Sequence, residues 1–226
     1  MSLTDRLSRR SPQAGQVLDW LGGAFDPVQA LFMLGRRAEL FAGVLEAAAL
    51  SPSEALLDIG CGTGTLLRAA AIRSHRARIL AGIEPATSLI AQAATKLTGV
   101  APQIVLARGY AQQLPFPDAS FDVVSATEML HHLPNPPVLE EVLHEAHRVL
   151  RPGGRLVALD FWPPKTRLGR VLHFHFRWNL LEESGFFYRG EFPVLLRAVG
   201  FNTVTMAPRK YLPNAVFRAE KPLRAT

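Results

Sequence analysis

The chain has 226 residues, room for one domain with a sizeable core and too little for two full ones. Hydrophobic residues make up 48% and charged residues 19%, which excludes a disordered chain, and the single cysteine excludes an internal disulfide or a cysteine-built zinc site. The net charge of +6 is carried by basic stretches at 1–12, 165–177 and 209–226 around a mildly acidic centre, a distribution that suits anionic lipid, nucleic acid, an acidic substrate or simple solubility.

The amino terminus, MSLTDRLSRRSP, has no apolar stretch of the secretory kind, and no run elsewhere approaches the roughly 18 apolar residues of a membrane span. The expectation is a cytoplasmic protein. Asp26-Pro27 reads as a helix cap and first-turn proline, and residues 28–49 place Leu31, Leu34, Phe41, Val44 and Leu45 near helical spacing. From residue 55 the rhythm changes. ALLDI (55–59), ILAGI (79–83), QIVLA (103–107), FDVVS (121–125) and GRLVALD (154–160) are short apolar runs, with helical segments predicted at 64–75, 86–97 and 137–149 between them. Strands apolar throughout and alternating with helices predict a parallel sheet covered on both faces. A further helix at 190–199 ends at Gly200, after which FNTVTMA (201–207) and NAVFRAE (214–220) are joined too closely for a crossover and must pair antiparallel. The fold class expected is therefore α/β: a seven-stranded, mostly parallel doubly wound sheet with an antiparallel C-terminal edge strand. Residues 1–49 form a helical cap and 50–226 the core, into which 161–190 is inserted as lid or acceptor site.

Between the first strand and the next helix stands LLDIGCGTGTLL (56–67), with glycines at 60, 62 and 64. Glycine there lets the backbone turn sharply and approach a ligand, and the helix after it begins with unpaired N–H groups. A Walker loop is excluded because no Gly-Lys-Ser/Thr follows, and Thr65 and Leu66 break the dinucleotide fingerprint. Glu84, at the end of the second strand, would share a crevice with this turn and could accept from both hydroxyls of a ribose. Asp58, a carboxylate inside the first strand, needs a partner such as the turn's amides or a ligand amine.

DIGCGTG, then IEP, then ARGYAQQLPFPDASFDVVSATEMLHHLPNP (107–136) and HRVLRPGGRLVALDF (147–161) together resemble the class I S-adenosylmethionine-dependent methyltransferases, in particular the branch that modifies small molecules, quinones and lipids. The resemblance implies S-adenosylmethionine as cofactor. On it, Asp58, Gly60, Cys61 and Gly62 match positions around the methionine part. Glu84 matches the ribose acid and Pro85 the neighbour of the adenine, while Ala111 and Gln112 line the adenine's other side and Thr127 passes the methionine end. Tyr110 departs from the pattern, standing where the family usually has an acid.

Methyl transfer from a sulfonium asks the protein mainly to align the reactants, exclude water and take a proton where needed. The candidates for that proton are His131, His132 and Asp160, with Glu128 comparable. Asn135-Pro136-Pro137 follows the strand too late to be a nucleic-acid amino-methyltransferase motif, and reads as a helix start. His144 and His147 with Glu140 and Glu141 read as solvated helix residues rather than metal ligands. The segment 161–190 carries Phe161, Trp162, Phe174, Phe176, Trp178, Phe186 and Phe187 among basic residues. Such a roof suits a lipophilic or aromatic acceptor, and a helix through about residue 178 could also lie against anionic lipid as a peripheral contact. The acceptor atom, oxygen, nitrogen or carbon, stays open. The alternatives are a protein or nucleic-acid methyltransferase, or a noncatalytic protein that binds the cofactor.

Overall fold

The computed structural model describes residues 22–32, 35–74, 77–100, 104–133, 136–162, 166, 187, 189–208 and 213–223. A short 3-10 turn, Gly22–Ala24, leads into α1 (Phe25–Phe32), which is followed by α2 (Arg37–Ala48). The single helix expected over 28–49 is thus two: Gly35, at φ +71°, stands between them in a backbone state that only glycine adopts freely. The division separates their roles. Leu40, Phe41, Val44 and Leu45 of α2 are buried, while Leu31 of α1 is 76% exposed. Helix α1 also starts earlier than expected, so Asp26 lies in its first turn instead of capping it.

The core then alternates as β1 (Ala55–Ile59), α3 (Thr65–Arg73), β2 (Ile79–Glu84), α4 (Thr87–Leu97), β3 (Ile104–Arg108), β4 (Phe121–Thr127), α5 (Pro136–Val149) and β5 (Leu150–Phe161), and closes with α6 (Phe192–Val199), β6 (Asn202–Pro208) and β7 (Asn214–Glu220). Seven strands form one sheet in the order β3-β2-β1-β4-β5-β7-β6. The first five are parallel and β7 is antiparallel to both β5 and β6. The expected antiparallel C-terminal pair is present, with β7 inserted beside β5 and β6 outermost. The five-residue connector, 209–213, is too short for a parallel crossover. Strand β5 begins four residues before the expected 154, because α5 passes directly into it, and Gly153 at φ +78° marks the irregular start.

Each face of the sheet has its own core. Leu57, Ile59, Leu139, Val142, Phe192 and Phe217 belong to one cluster, with α5 and α6. Leu56, Leu40, Val44, Leu66, Leu67 and Leu80 belong to the other, with α2 and α3. Adjacent residues of β1 thus serve opposite faces, which is why ALLDI is apolar without alternation except at Asp58. The chain leaves β1 toward β2 on one side and later returns to β4 on the other. The carboxyl ends of β1 and β4 therefore flank a topological switch point, where open α/β sheets place ligands.

Candidate functional site

The turn after β1 is held by its own backbone. Gly60 and Cys61 donate their amides to Ile83 O at 2.9 and 3.1 Å, and Gly64 donates to Cys61 O at 2.9 Å. Gly60, Gly62 and Gly64 all have positive φ, at +67°, +52° and +73°, so the conformation itself favours glycine. Beyond that they differ. A Cβ at Gly64 would lie 2.8 Å from Leu97 Cδ1, so this glycine lets α3 close on α4 and serves packing. A Cβ at Gly60 would meet Met129 Cβ at 2.9 Å, and one at Gly62 would only touch the Phe25 ring at 3.5 Å. Gly60 thus lets Met129 approach, and of the three only Gly62 leaves the space of its Cβ open, faced by Phe25.

Glu84 ends β2 and is 5% exposed. Its Oε2 accepts from Gly62 N and its Oε1 from Ala86 N, both at 3.0 Å. Two rigid backbone donors thus orient the carboxylate. Asp58 is wholly buried. Ser125 Oγ donates to its Oδ1 at 2.7 Å, while Oδ2 has no hydrogen-bond partner. The turn's amides, expected to serve Asp58, serve Ile83 and Glu84 instead. Burial first, and then the charge of Glu84, push Asp58 up to about 7 against the hydrogen bond from Ser125. Cys61 is buried and its thiol is pushed far up by burial, then by Asp58 and Glu84, so it is no nucleophile. A buried acceptor without a partner beside a bare glycine turn and an oriented carboxylate fits a ligand with an ammonium and a diol.

Pro85 is half-buried after Glu84, and Ala111 is buried with Gln112 half-buried beside it. Tyr110 is 41% exposed. Its loop is held from α5, where Glu145 accepts from Leu114 N and Arg148 donates to Leu114 O, Phe116 O and Asp118. Thr127, at the end of β4, is 8% exposed.

Polar side chains meet where the carboxyl ends of β4 and β5 lie beside the amino end of β7. Asp160 is fully buried, and its Oδ2 accepts from Leu130 N at 3.0 Å while its Oδ1 accepts from Phe161 N at 2.8 Å. The His131 Nδ1 lies 2.9 Å from the same Oδ1. With Asp160 as acceptor, Nδ1 carries the proton and Nε2 is the basic atom. Burial works against charge on His131, but Asp160 and then Glu128 outweigh it and hold its pKa above the ordinary imidazole value. His132 tilts against His131 at 4.0 Å between ring centres. Crowding by protein and then the neighbouring imidazole lower the His132 pKa, although solvent reaches the ring. Glu128 has an unusual φ of +53°, and burial raises it to about 7, with His131 opposing and Asp160 adding. Asn214 Nδ2 reaches Glu128 Oε1 at 3.5 Å.

The structure thus brings Asp58, Gly60, Gly62 and Glu84 together, and separately His131 with His132 and Asp160. Met129, Phe25 and Ser125 were not anticipated. Ser125 opposite Asp58 in the β1–β4 register is the one signal that a pairing argument could have used. His144 pairs with Glu140 at 3.7 Å and His147 packs on Phe201, so neither approaches the crevice groups. The competing helix and strand readings of 168–178, with Phe174, Phe176, Trp178 and Phe186, lie outside the described residues. No described helix is long and apolar enough to cross a membrane.

Residues 57–158 match the family model of the methyltransferase domain. Over this stretch the chain is similar to methyltransferase domains. It is 40% identical over 130 residues to 27-O-demethylrifamycin SV methyltransferase of Amycolatopsis mediterranei (strain S699), covering 56% of this chain and 44% of that one. It is 28% identical over 143 residues to the ubiquinone/menaquinone biosynthesis C-methyltransferase UbiE of Shewanella frigidimarina (strain NCIMB 400), covering 62% and 56%. The chain thus spans about half the length of these curated relatives. A Thermotoga maritima structure, a SAM-dependent methyltransferase and possible histamine N-methyltransferase, superposes with a TM-score of 0.67 at 21% identity over 92% of this chain and 99% of that one. S-adenosylmethionine is the cofactor that this family and fold imply, in agreement with the ammonium and diol acceptors described above.

Proposed function

We propose that the protein methylates a hydroxyl group of a lipophilic or aromatic small molecule, using S-adenosylmethionine. The observation that carries this reading is the His131–Asp160 pair, a buried carboxylate with two backbone donors that orients one imidazole at the carboxyl end of the sheet. When bound, the cofactor supplies an electrophilic methyl group and a good leaving group.

Asp58 Oδ2 would accept from its ammonium, Glu84 would take both ribose hydroxyls, and Pro85, Ala111 and Gln112 would flank the adenine. His131 Nε2 would take the acceptor's hydroxyl proton as the oxygen attacks, and Asp160 would stabilise the imidazolium that forms. Phe161, 4.4 Å from the His131 ring, and Trp162, set against Phe217, would give the acceptor an apolar wall. The rifamycin and quinone methyltransferases among the relatives act, by their names, on molecules of this kind.

Two measurements test the reading. Calorimetric titration with S-adenosylmethionine should show binding that Glu84→Ala removes, and unchanged affinity in that variant would sink the ribose assignment. Radiolabelled methyl transfer to a panel of phenols, quinols and lipid amines should label hydroxyls and depend on His131. Transfer to polynucleotide or protein alone would reject the acceptor class.

A further inference from the structure

Helix α1 is fastened to the glycine turn by a cluster that the reaction does not use. Asp26 Oδ1 accepts from Thr63 Oγ1 and from Arg37 of α2, both at 2.7 Å, and its Oδ2 accepts from Lys96 Nζ of α4 at 2.5 Å. Lys96 Nζ also donates to Thr63 Oγ1 at 2.7 Å and Thr65 Oγ1 at 3.0 Å, so one ammonium bridges the acid, Thr63 of the turn and Thr65 at the start of α3. A second tie lies one turn earlier, where Gln92 of α4 donates to Gly22 O at 3.0 Å.

What this cluster holds in place is the roof. Phe25, next to Asp26, lies 3.5 Å from where a side chain on Gly62 would begin. One helical turn along the same face, Gln29 has a buried Oε1 with no hydrogen-bond partner. Helix α1 therefore sets an aromatic ring against the turn read above as the cofactor's cradle and carries an unused acceptor four residues on. The ion pair is well placed to matter: Lys96 is 27% and Asp26 32% exposed, and the hydrogen bonds to Asp26 hold its carboxyl down at about 2 against the effect of burial. The acid stays charged across the physiological range.

We propose that Asp26 and Lys96 are positioning residues for the cofactor, forming a latch that keeps α1 closed on the glycine turn and sets how long the bound cofactor stays. The inference rests on the cofactor site proposed above. Neither residue touches reacting atoms. Their loss frees α1 to lift, which speeds release far more than it changes the chemical step. Because the latch charge persists to low pH, salt rather than acid weakens it.

The test follows S-adenosylhomocysteine, by calorimetry for Kd and by stopped-flow competition for release, on the full chain. Lys96→Met and Asp26→Asn should each raise Kd about 5- to 30-fold, mostly through faster release, with KM for S-adenosylmethionine rising in step and kcat within about twofold of the parent. Lys96→Arg, which keeps the charge, should restore most of the residence time. Half-molar salt should shorten residence in the parent but not in Lys96→Met. A Lys96→Met protein that melts within a few degrees of the parent yet keeps its Kd and release rate overturns the latch, as does a loss that Lys96→Arg fails to mend. If Glu84→Ala still abolishes binding in that case, the cofactor site stands without the latch. If the parent itself binds no S-adenosylhomocysteine, the site reading falls and the latch with it.

Discussion

The two halves of the crevice are built differently. At the ends of β1 and β2, Glu84 is held by two backbone amides and the glycine turn by Ile83 O. At the ends of β4, β5 and β7, side chains also hold one another, His131 on an Asp160 that two amides fix and Asn214 against Glu128. Backbone-built sites depend on local conformation and tolerate few substitutions. Sites built from side chains depend on which strands the topology brings together and can be altered one residue at a time.

The sharpest way to break this contrast is at the acceptor end. His131→Ala should lower kcat by about 10²- to 10⁴-fold with little change in S-adenosylmethionine affinity. In the parent, kcat should rise with pH through a midpoint above the ordinary imidazole value, because His131 must lose its proton to act and the Asp160 carboxylate favours keeping it. Asp160→Asn should move that midpoint down and cost a comparable factor. The double variant should be little worse than either single one, as expected of a unit. Independent, multiplicative losses would show that the pair is not one.

At the cofactor end Glu84→Ala should weaken S-adenosylmethionine about 100-fold or more and also destabilise the fold, since Gly62 N and Ala86 N lose their acceptor at roughly 1–3 kcal/mol each if left unpaired. Thermal melting without cofactor separates the two effects.

Asp58 gives a prediction of opposite sign. Its folded pKa of about 7 exceeds the ordinary carboxyl value, so between about pH 4 and 7 the native state holds a proton that the unfolded chain has released. Its contribution is therefore fully favourable at low pH and is lost as pH rises toward 7. Asp58→Asn should be more stable than the parent at pH 8, on the order of 2–4 kcal/mol, and equal to it below pH 4, while binding cofactor poorly. Denaturant titration at both pH values measures this.

Gly64→Ala, with φ +73° and a 2.8 Å approach to Leu97, should cost about 2 kcal/mol or more in stability, and Gly62→Ala about 1 kcal/mol with the larger effect on cofactor binding. Smallest of all, Arg36→Ala should change stability by less than about 0.5 kcal/mol, since its pair with Glu39 is half exposed on both sides.

How much of this was legible follows the same division. The glycine turn, Glu84 and the alternation of strands and helices are properties of short stretches, and all appear where the residues place them. The gap at Gly35 was missed because the stripe from Leu31 to Leu45 looks continuous and a single glycine inside a helical pattern seldom decides a boundary. Asp26 was read as a helix cap because a local rule covers Asp-Pro, whereas its partners lie 11, 37 and 70 residues away. His131 and His132 could not be ranked from their dipeptide, and the contact with Asp160 makes them unequal.

By itself, then, the order of residues determined the sheet, the turn and the acid beside it, because backbone conformation and strand burial are written in neighbouring positions. Which imidazole is the base, which glycine serves packing, what satisfies Asp58 and what fastens the first helix were decided only when distant segments met. A hydrogen bond between side chains leaves no periodic trace in the stretches that contribute its two ends.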